Sequence, residues 1–216
     1  MGCSAGPSVA SAPVLYLDAG NTKSYPGSGT TWTDLSGNGN HGTLTNGPTF
    51  NSANGGSIVF DGVDDYVNAP VAKMASVSFS CWGKTQANLS QPMLFNAGPN
   101  LVGPDLFFYT GRVSWNTWEG NANPFGQIPA SASNGMWHHY AIVNDATSTA
   151  KLYYDNILYG SASYRNASVY NNLTIGGNVN SYMWNGSISG FSVYNRALSA
   201  AEISTNFNAT RGRYGL

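Results

Sequence analysis

An all-β chain folded as a two-sheet antiparallel β-sandwich with one short C-terminal helix is what the sequence predicts, and three observations carry the prediction. Bulky side chains recur with a period of two in short runs along the whole chain, as pleated strands require. Clusters of Gly, Asn, Ser, Thr and Asp separate those runs, with 26 glycines in 216 residues. Charged residues make up only 9% of the chain, few of them the Lys and Glu that favour helices, while hydrophobic residues make up 42%. That supplies one full core, and sandwiches of this size are commonly single domains.

Taken in order, residues 1–13 are mostly Gly, Ala, Ser and Pro, with one Met, one Val and one Cys, a composition that buries too little surface to order itself. They are expected to form an N-terminal arm ahead of a single domain over 14–216. Val14 to Asp18 reads as the first strand. From Ala19 to Gly47 the turn formers dominate, so a long excursion is expected, with brief pairing at Gly42 to Leu44. Ser57 to Phe60 and Tyr66 to Asn68 flank the turn Asp61-Gly62-Val63-Asp64-Asp65. Val77 to Lys84 sets Val77, Phe79 and Cys81 against Ser78, Ser80 and Trp82. Met93 to Asn96 and Leu106 to Tyr109 follow, and Gly111 turns the chain back into Val113 to Trp115. Thr117 to Gly135 shows no periodicity, and a loop of that length inside a domain has a purpose or packs on itself.

The stretch Met136 to Gly160 reads as a three-stranded meander. Trp137, His139, Ala141 and Val143 alternate with His138, Tyr140 and Ile142, so the strand is bulky on both faces and needs cover on both. Asp155-Asn156, which tolerate left-handed backbone, close a tight hairpin between Ala150–Tyr154 and Ile157–Tyr159. Ser161 to Asn171 is polar and loop-like, Leu173 to Ile175 returns to strand, and Ser187 to Tyr194 is the last long strand. Ser199 and Glu202 have capping-box spacing, which predicts a helix from Ala200 to Phe207.

Several of these segments carry a resemblance. Trp32-Thr33-Asp34-Leu35-Ser36-Gly37-Asn38-Gly39-Asn40-His41-Gly42, Phe60-Asp61-Gly62-Val63-Asp64-Asp65-Tyr66-Val67, Trp137-His138-His139-Tyr140-Ala141, Leu152-Tyr153-Tyr154-Asp155-Asn156, Leu173-Thr174-Ile175-Gly176-Gly177, Asn185-Gly186-Ser187-Ile188 and Tyr194-Asn195-Arg196-Ala197-Leu198-Ser199 stand in one order. Together they resemble the laminin-G-like branch of the concanavalin A-like lectin/glucanase superfamily, from about Val14 to about Phe207. The resemblance implies a jelly-roll sandwich and places Trp32, Trp82, Trp137 and Trp184 at structural positions. It also implies a calcium ion near the rim in many relatives. Asp18, Asp34, Asp61, Asp64 and Asp105 are the candidate oxygen ligands, but Ser189-Gly190-Phe191 stands where relatives carry an acidic residue.

The chemistry classes narrow quickly. Retaining glycosidases bring two carboxylates to about 5.5 Å, and no Glu-x-Asp-x-Glu arrangement exists here. Asp64 and Asp65 are adjacent and in extended chain point to opposite faces, as do His138 and His139. A formal charge of −1 gives no handle for nucleic acid or an anionic membrane, and no apolar run of about 20 residues could span a bilayer. Cys3 and Cys81 are expected as free thiols, and the start of the chain has neither the basic nor the apolar region of a secretory signal. Catalysis and cofactors are therefore not expected.

The remaining candidate is a sugar-facing platform. Tyr109, Arg112, Trp115, Trp118, Glu119 and Asn121 combine aromatic faces, on which sugar C–H groups stack, with hydrogen-bonding side chains. Tyr109 and Trp115 have an equal claim as core residues, whereas Trp118 lies in a polar loop. The expected function is a non-catalytic carbohydrate-binding or adhesion module, displayed on a virion surface after assembly in a host cytoplasm, or otherwise extracellular. The alternative is a structural virion protein, a capsid decoration or tail component that binds neighbouring subunits and no sugar. Expected partners are a cell-surface glycan and other virion proteins, the latter through residues 1–13, with neither nucleic acid nor membrane insertion.

Overall fold

A computed structural model describes residues 12–72, 74–85, 92–97, 105–109, 112–116, 123–124, 132, 134–147, 149–163, 172–178 and 182–216. In chain order the strands are β1 Leu15–Asp18, β2 Thr31–Trp32, β3 Gly42–Thr45, β4 Thr49–Asn51, β5 Ser57–Asp61, β6 Tyr66–Ala69, β7 Val77–Thr85 and β8 Met93–Asn96. They continue as β9 Asp105–Tyr109, β10 Arg112–Asn116, β11 Asn123–Pro124, β12 Trp137–Asn144, β13 Thr149–Tyr154, β14 Ile157–Ser163, β15 Leu173–Ile175 and β16 Asn185–Tyr194. Sheet A runs β14-β13-β12-β7-β16-β5-β4, and sheet B runs β11-β10-β9-β8-β15-β6-β3-β2. All pairings are antiparallel. This is the expected two-sheet sandwich.

The meander forms as its turn chemistry dictates. Asp155 and Asn156 take φ of 46° and 68° and join β13 to β14, while β12 lies between β13 and β7. Every side chain of β12 is buried. Tyr140 and Ile142 enter the core between the sheets, where Phe79, Phe95 and Phe191 meet at ring separations of 4.5 to 6.4 Å and Trp32 and Trp184 are sealed from solvent. Ala141 and Val143 face the other way and pack with Tyr153, Tyr194, Leu198 and Ile203. Gly176 has a φ of 85°, and a Cβ there would overlap the Phe60 ring, so this turn admits only glycine.

Ile203 belongs to the helix α1, Ala200–Thr210, which covers the outer face of sheet A. Its start is the expected capping box: Ser199 Oγ accepts from the Glu202 amide while the Glu202 carboxylate accepts from the Ser199 amide. The helix passes the expected end at Phe207 because Thr210 is held from outside, its hydroxyl accepting from Trp82 Nε1 at 2.9 Å. A 3-10 turn, Arg211–Tyr214, then stacks Tyr214 on Trp82 with centroids 4.1 Å apart. It also brings Arg213 to the buried Asp18 of β1 at 3.0 Å.

The two-residue strands β2 and β11 and the short β4 were not expected, since strands of that length are defined by a partner and not by their own alternation. Residues 1–11 of the expected arm, with Cys3, lie outside the described residues; Cys81 is a buried free thiol in the core.

Candidate ligand-binding face

Alternation along sheet B sends Leu44, Val67, Ala69, Leu173, Ile175 and Leu106 inward and leaves their neighbours on the outer face. The strand register aligns those neighbours. Thr43 pairs with Asn68, Asn68 with Thr174, Thr174 with Asn96, Asn96 with Asp105, and Asp105 with Asn116. One polar row thus crosses six adjacent strands, a span of roughly 24 Å at the usual strand spacing. Thr174 Oγ1 donates to the Asn96 carbonyl at 3.3 Å, which joins two neighbouring members of the row directly. Thr43 and Asn68 are exposed, whereas Thr174, Asn96 and Asp105 are buried. Beside the open end, half-buried Tyr66 pairs with Thr45 on the same face. An aromatic ring among Thr and Asn side chains offers an apolar face together with donors and acceptors.

Of the six residues expected to form the platform, Tyr109, Arg112 and Trp115 fall on β9 and β10, at the other end of this sheet. Tyr109 and Arg112 face each other in register across the β9–β10 hairpin, and Trp115 stands opposite Leu106, a core residue. Trp118, Glu119 and Asn121 lie outside the described residues, in the segment that follows Asn116. The sequence held no sign of the polar row, because each of its members is an ordinary polar residue in an alternating strand until the register is known.

The five candidate calcium ligands do not form one site. Asp34 already accepts four hydrogen bonds, from the amides of Tyr16, Ser36 and Asn40 and from the Ser36 hydroxyl, and so shapes its own loop. Asp18 accepts from Arg213, the Gly20 amide and the Tyr16 hydroxyl. Asp105 belongs to the polar row. Only Asp61 and Asp64 come together, and Asp65 joins them: one oxygen of each lies within 4.8 Å of the others. This corrects the expectation that Asp64 and Asp65 diverge. The segment is a turn, with Gly62 at φ 79°, and strand alternation does not apply to it. Burial raises the Asp65 carboxyl, helped by Asp61 and Asp64 beside it. An all-oxygen set of three suits a hard cation such as calcium, which needs 6–8 oxygens in all. Ser189, where relatives carry an acidic residue, is consumed internally. Its Oγ donates to the Gly56 carbonyl and accepts from Arg213 and Tyr214.

The histidines diverge as expected. His138 Nδ1 lies 2.7 Å from the Asp155 carboxylate, and its ring stacks on Tyr154 within the sandwich. His139 lies on the helix side, with Nε2 2.9 Å from Ser80 Oγ, and burial pushes its pKa down to about 4. His41 Nδ1 accepts from the Asp34 amide. Among the described residues, no two histidines share a ligand site.

A family model described as concanavalin A-like lectin/glucanases superfamily, of laminin G type, matches residues 61–204, more than half of the chain. No curated protein sequence matches it. Among solved structures, the binding domain of Paraclostridial Mosquitocidal Protein 1 is similar at a TM-score of 0.71 and 15% identity, covering 92% of this chain and 52% of that one. The botulinum neurotoxin serotype D binding domain is similar at 0.71 and 14%, with 91% and 51% covered. The binding domain of botulinum neurotoxin DC, in complex with rat synaptotagmin II, is similar at 0.72 and 14%, with 92% and 52% covered. The chain spans about half the length of these structures, and at such identities the likeness is one of fold.

Proposed function

The chain belongs to the concanavalin A-like lectin/glucanase superfamily, and from that premise we propose that it is a non-catalytic binding module that recognises a cell-surface glycan through the outer face of sheet B. The exposed end of the polar row, Thr43 and Asn68 aligned in register with Tyr66 beside them, is the observation that carries this reading. A sugar presents hydroxyls that donate and accept and a C–H face that stacks. The exposed Thr43 and Asn68 side chains answer the first and Tyr66 the second. Of the expected platform, Tyr109, Arg112, Trp118, Glu119 and Asn121 extend the same reading along β9, β10 and the segment after them, whereas Trp115 stands in register with the core residue Leu106.

Four of the acidic groups are committed to the fold. Asp18, Asp34, Asp155 and Glu202 are each engaged in internal hydrogen bonds or ion pairs. Such carboxylates are not free to act as paired acid and nucleophile. The neighbours named as binding domains are consistent with this, and one of them is described in complex with a protein, rat synaptotagmin II.

Display on a virion surface is the second part of the proposal, with the small-residue arm 1–13 as the attachment. Deleting those residues should leave the domain folded and release it from the particle; normal incorporation of the truncated chain would refute the attachment. The rival reading, a subunit-binding structural protein, draws on Ile157 and Leu158, which stand exposed on the edge strand β14. A glycan screen of the wild-type chain separates the two. The binding reading predicts a defined glycan hit that weakens at least fivefold in Trp118→Ala with an unchanged melting temperature. No hit at all would favour the structural rival.

A further inference from the structure

Between α1 and the outer face of sheet A lies a half-open cleft of about 40 Å3, lined among others by Asp18, Trp82, His139, Asn206, Arg213 and Tyr214. Most polar atoms there are matched. Arg213 pairs with Asp18, Trp82 Nε1 donates to Thr210, and the Tyr214 hydroxyl donates to Ser189. Two are not. His139 Nδ1 and Asn206 Oδ1 have no hydrogen-bond partner among the described residues, although the residues are only 1% and 6% exposed.

Each of these side chains is fixed at its other end. His139 Nε2 engages Ser80 Oγ at 2.9 Å, and Asn206 Nδ2 donates to the Tyr194 hydroxyl at 3.2 Å. The two orphan atoms therefore belong to anchored side chains, one on β12 and one on α1, that line the same cleft. A buried polar atom without a partner is costly, which makes a ligand that satisfies both strongly favoured.

Size and charge define that ligand. At about 10–15 Å3 per water the cleft holds up to about three, and it is far below the 300 Å3 or more of organic-ligand pockets. Asp18 and Arg213 neutralise each other across it. The Tyr16, Tyr194 and Tyr214 hydroxyls are pushed up by burial and stay uncharged at neutral pH. Neither a cation nor an anion finds an uncompensated partner in that set. We propose that the cleft is a built water site: ordered water donates to Asn206 Oδ1, completes the hydrogen bonding of His139 at Nδ1, and so ties the C-terminal helix to β12.

A double-mutant cycle on the full chain tests this, using His139→Leu and Asn206→Leu, both close in volume to the residues they replace. A shared water makes the two sites interdependent. Each single variant should lower Tm by roughly 4 to 8 °C, because it strands the water and the other polar atom. The double variant, with both polar atoms gone, should lose clearly less than the sum. Additive losses would overturn the proposal. A crystal structure of the wild-type chain at neutral pH decides the matter even if a variant fails to fold. Water within hydrogen-bond distance of both atoms is the expected result, and a dry cleft or a protein group on His139 Nδ1 is the contrary one.

Discussion

On the outer face of sheet A, Ala141, Val143 and Tyr153 pack with Leu198 and Ile203, and Trp82, Trp137, Phe207 and Tyr214 form an aromatic cluster beside them. On the outer face of sheet B the register instead lines up Thr43, Asn68, Thr174, Asn96 and Asp105. Both faces come from strands whose inner residues are equally apolar, so core formation does not explain the difference. Sheet A spends its outer face on stability: a capped helix, a partly buried ion pair and stacked rings close it with the chain's own C-terminal segment. Sheet B leaves Thr43 and Asn68 exposed at one end of that row, with Tyr66 half-buried beside them. On the proposed reading, the ligand binds the face that the C-terminal segment does not close.

The sharpest way to break that contrast is to exchange the consequences of substitution between the two faces. Trp82→Ala removes a ring stacked on both Tyr214 and Phe207 and a hydrogen bond to Thr210. A loss of about 3 to 5 kcal/mol is expected, read as a fall in Tm of roughly 10 °C or more. A neutral result would mean that the helical cover is dispensable and sheet A's outer face is open to other roles.

Acid is the next largest perturbation, and it acts on the sheet A side. Burial holds His139 neutral down to about 4, opposed by the Asp155 charge, whereas an unfolded histidine titrates near 6.5. Between those values the unfolded chain binds the extra proton, so stability falls as pH drops from about 6.5 to about 4 and is flat, for this group, above about 7. The loss at pH 4 is on the order of 3 kcal/mol. Denaturant melts of wild type and His139→Leu across that range check it: the variant should lack this share of the acid sensitivity, and parallel curves would contradict the assignment.

How much of this the sequence could show follows from which features are local. Asp155-Asn156 specify their own turn, Ser199 and Glu202 their own cap, and the two-sided alternation of Trp137 to Val143 already demands cover on both faces. The polar row is not local. Residues 43, 68, 174, 96 and 105 become neighbours only through strand pairing, which no single segment encodes. The same limit hid the extension of α1 to Thr210, which depends on Trp82 across 128 residues. At Asp61 to Asp65 strand periodicity does not hold, because the segment is a turn whose Gly62 adopts a left-handed conformation.

The smallest expected effect on stability is also the most direct test of function. Asn68 is exposed and Tyr66 half-buried on the polar face. Asn68→Ala should change stability by no more than about 0.5 kcal/mol, as exposed substitutions commonly do. The deciding measurement is the affinity of wild type, Tyr66→Ala and Asn68→Ala for the glycan identified by screening, with Tm recorded on the same samples. Binding weakened at least fivefold in both variants at unchanged Tm is the predicted result. Undiminished binding in both would contradict the assignment of the ligand face to sheet B.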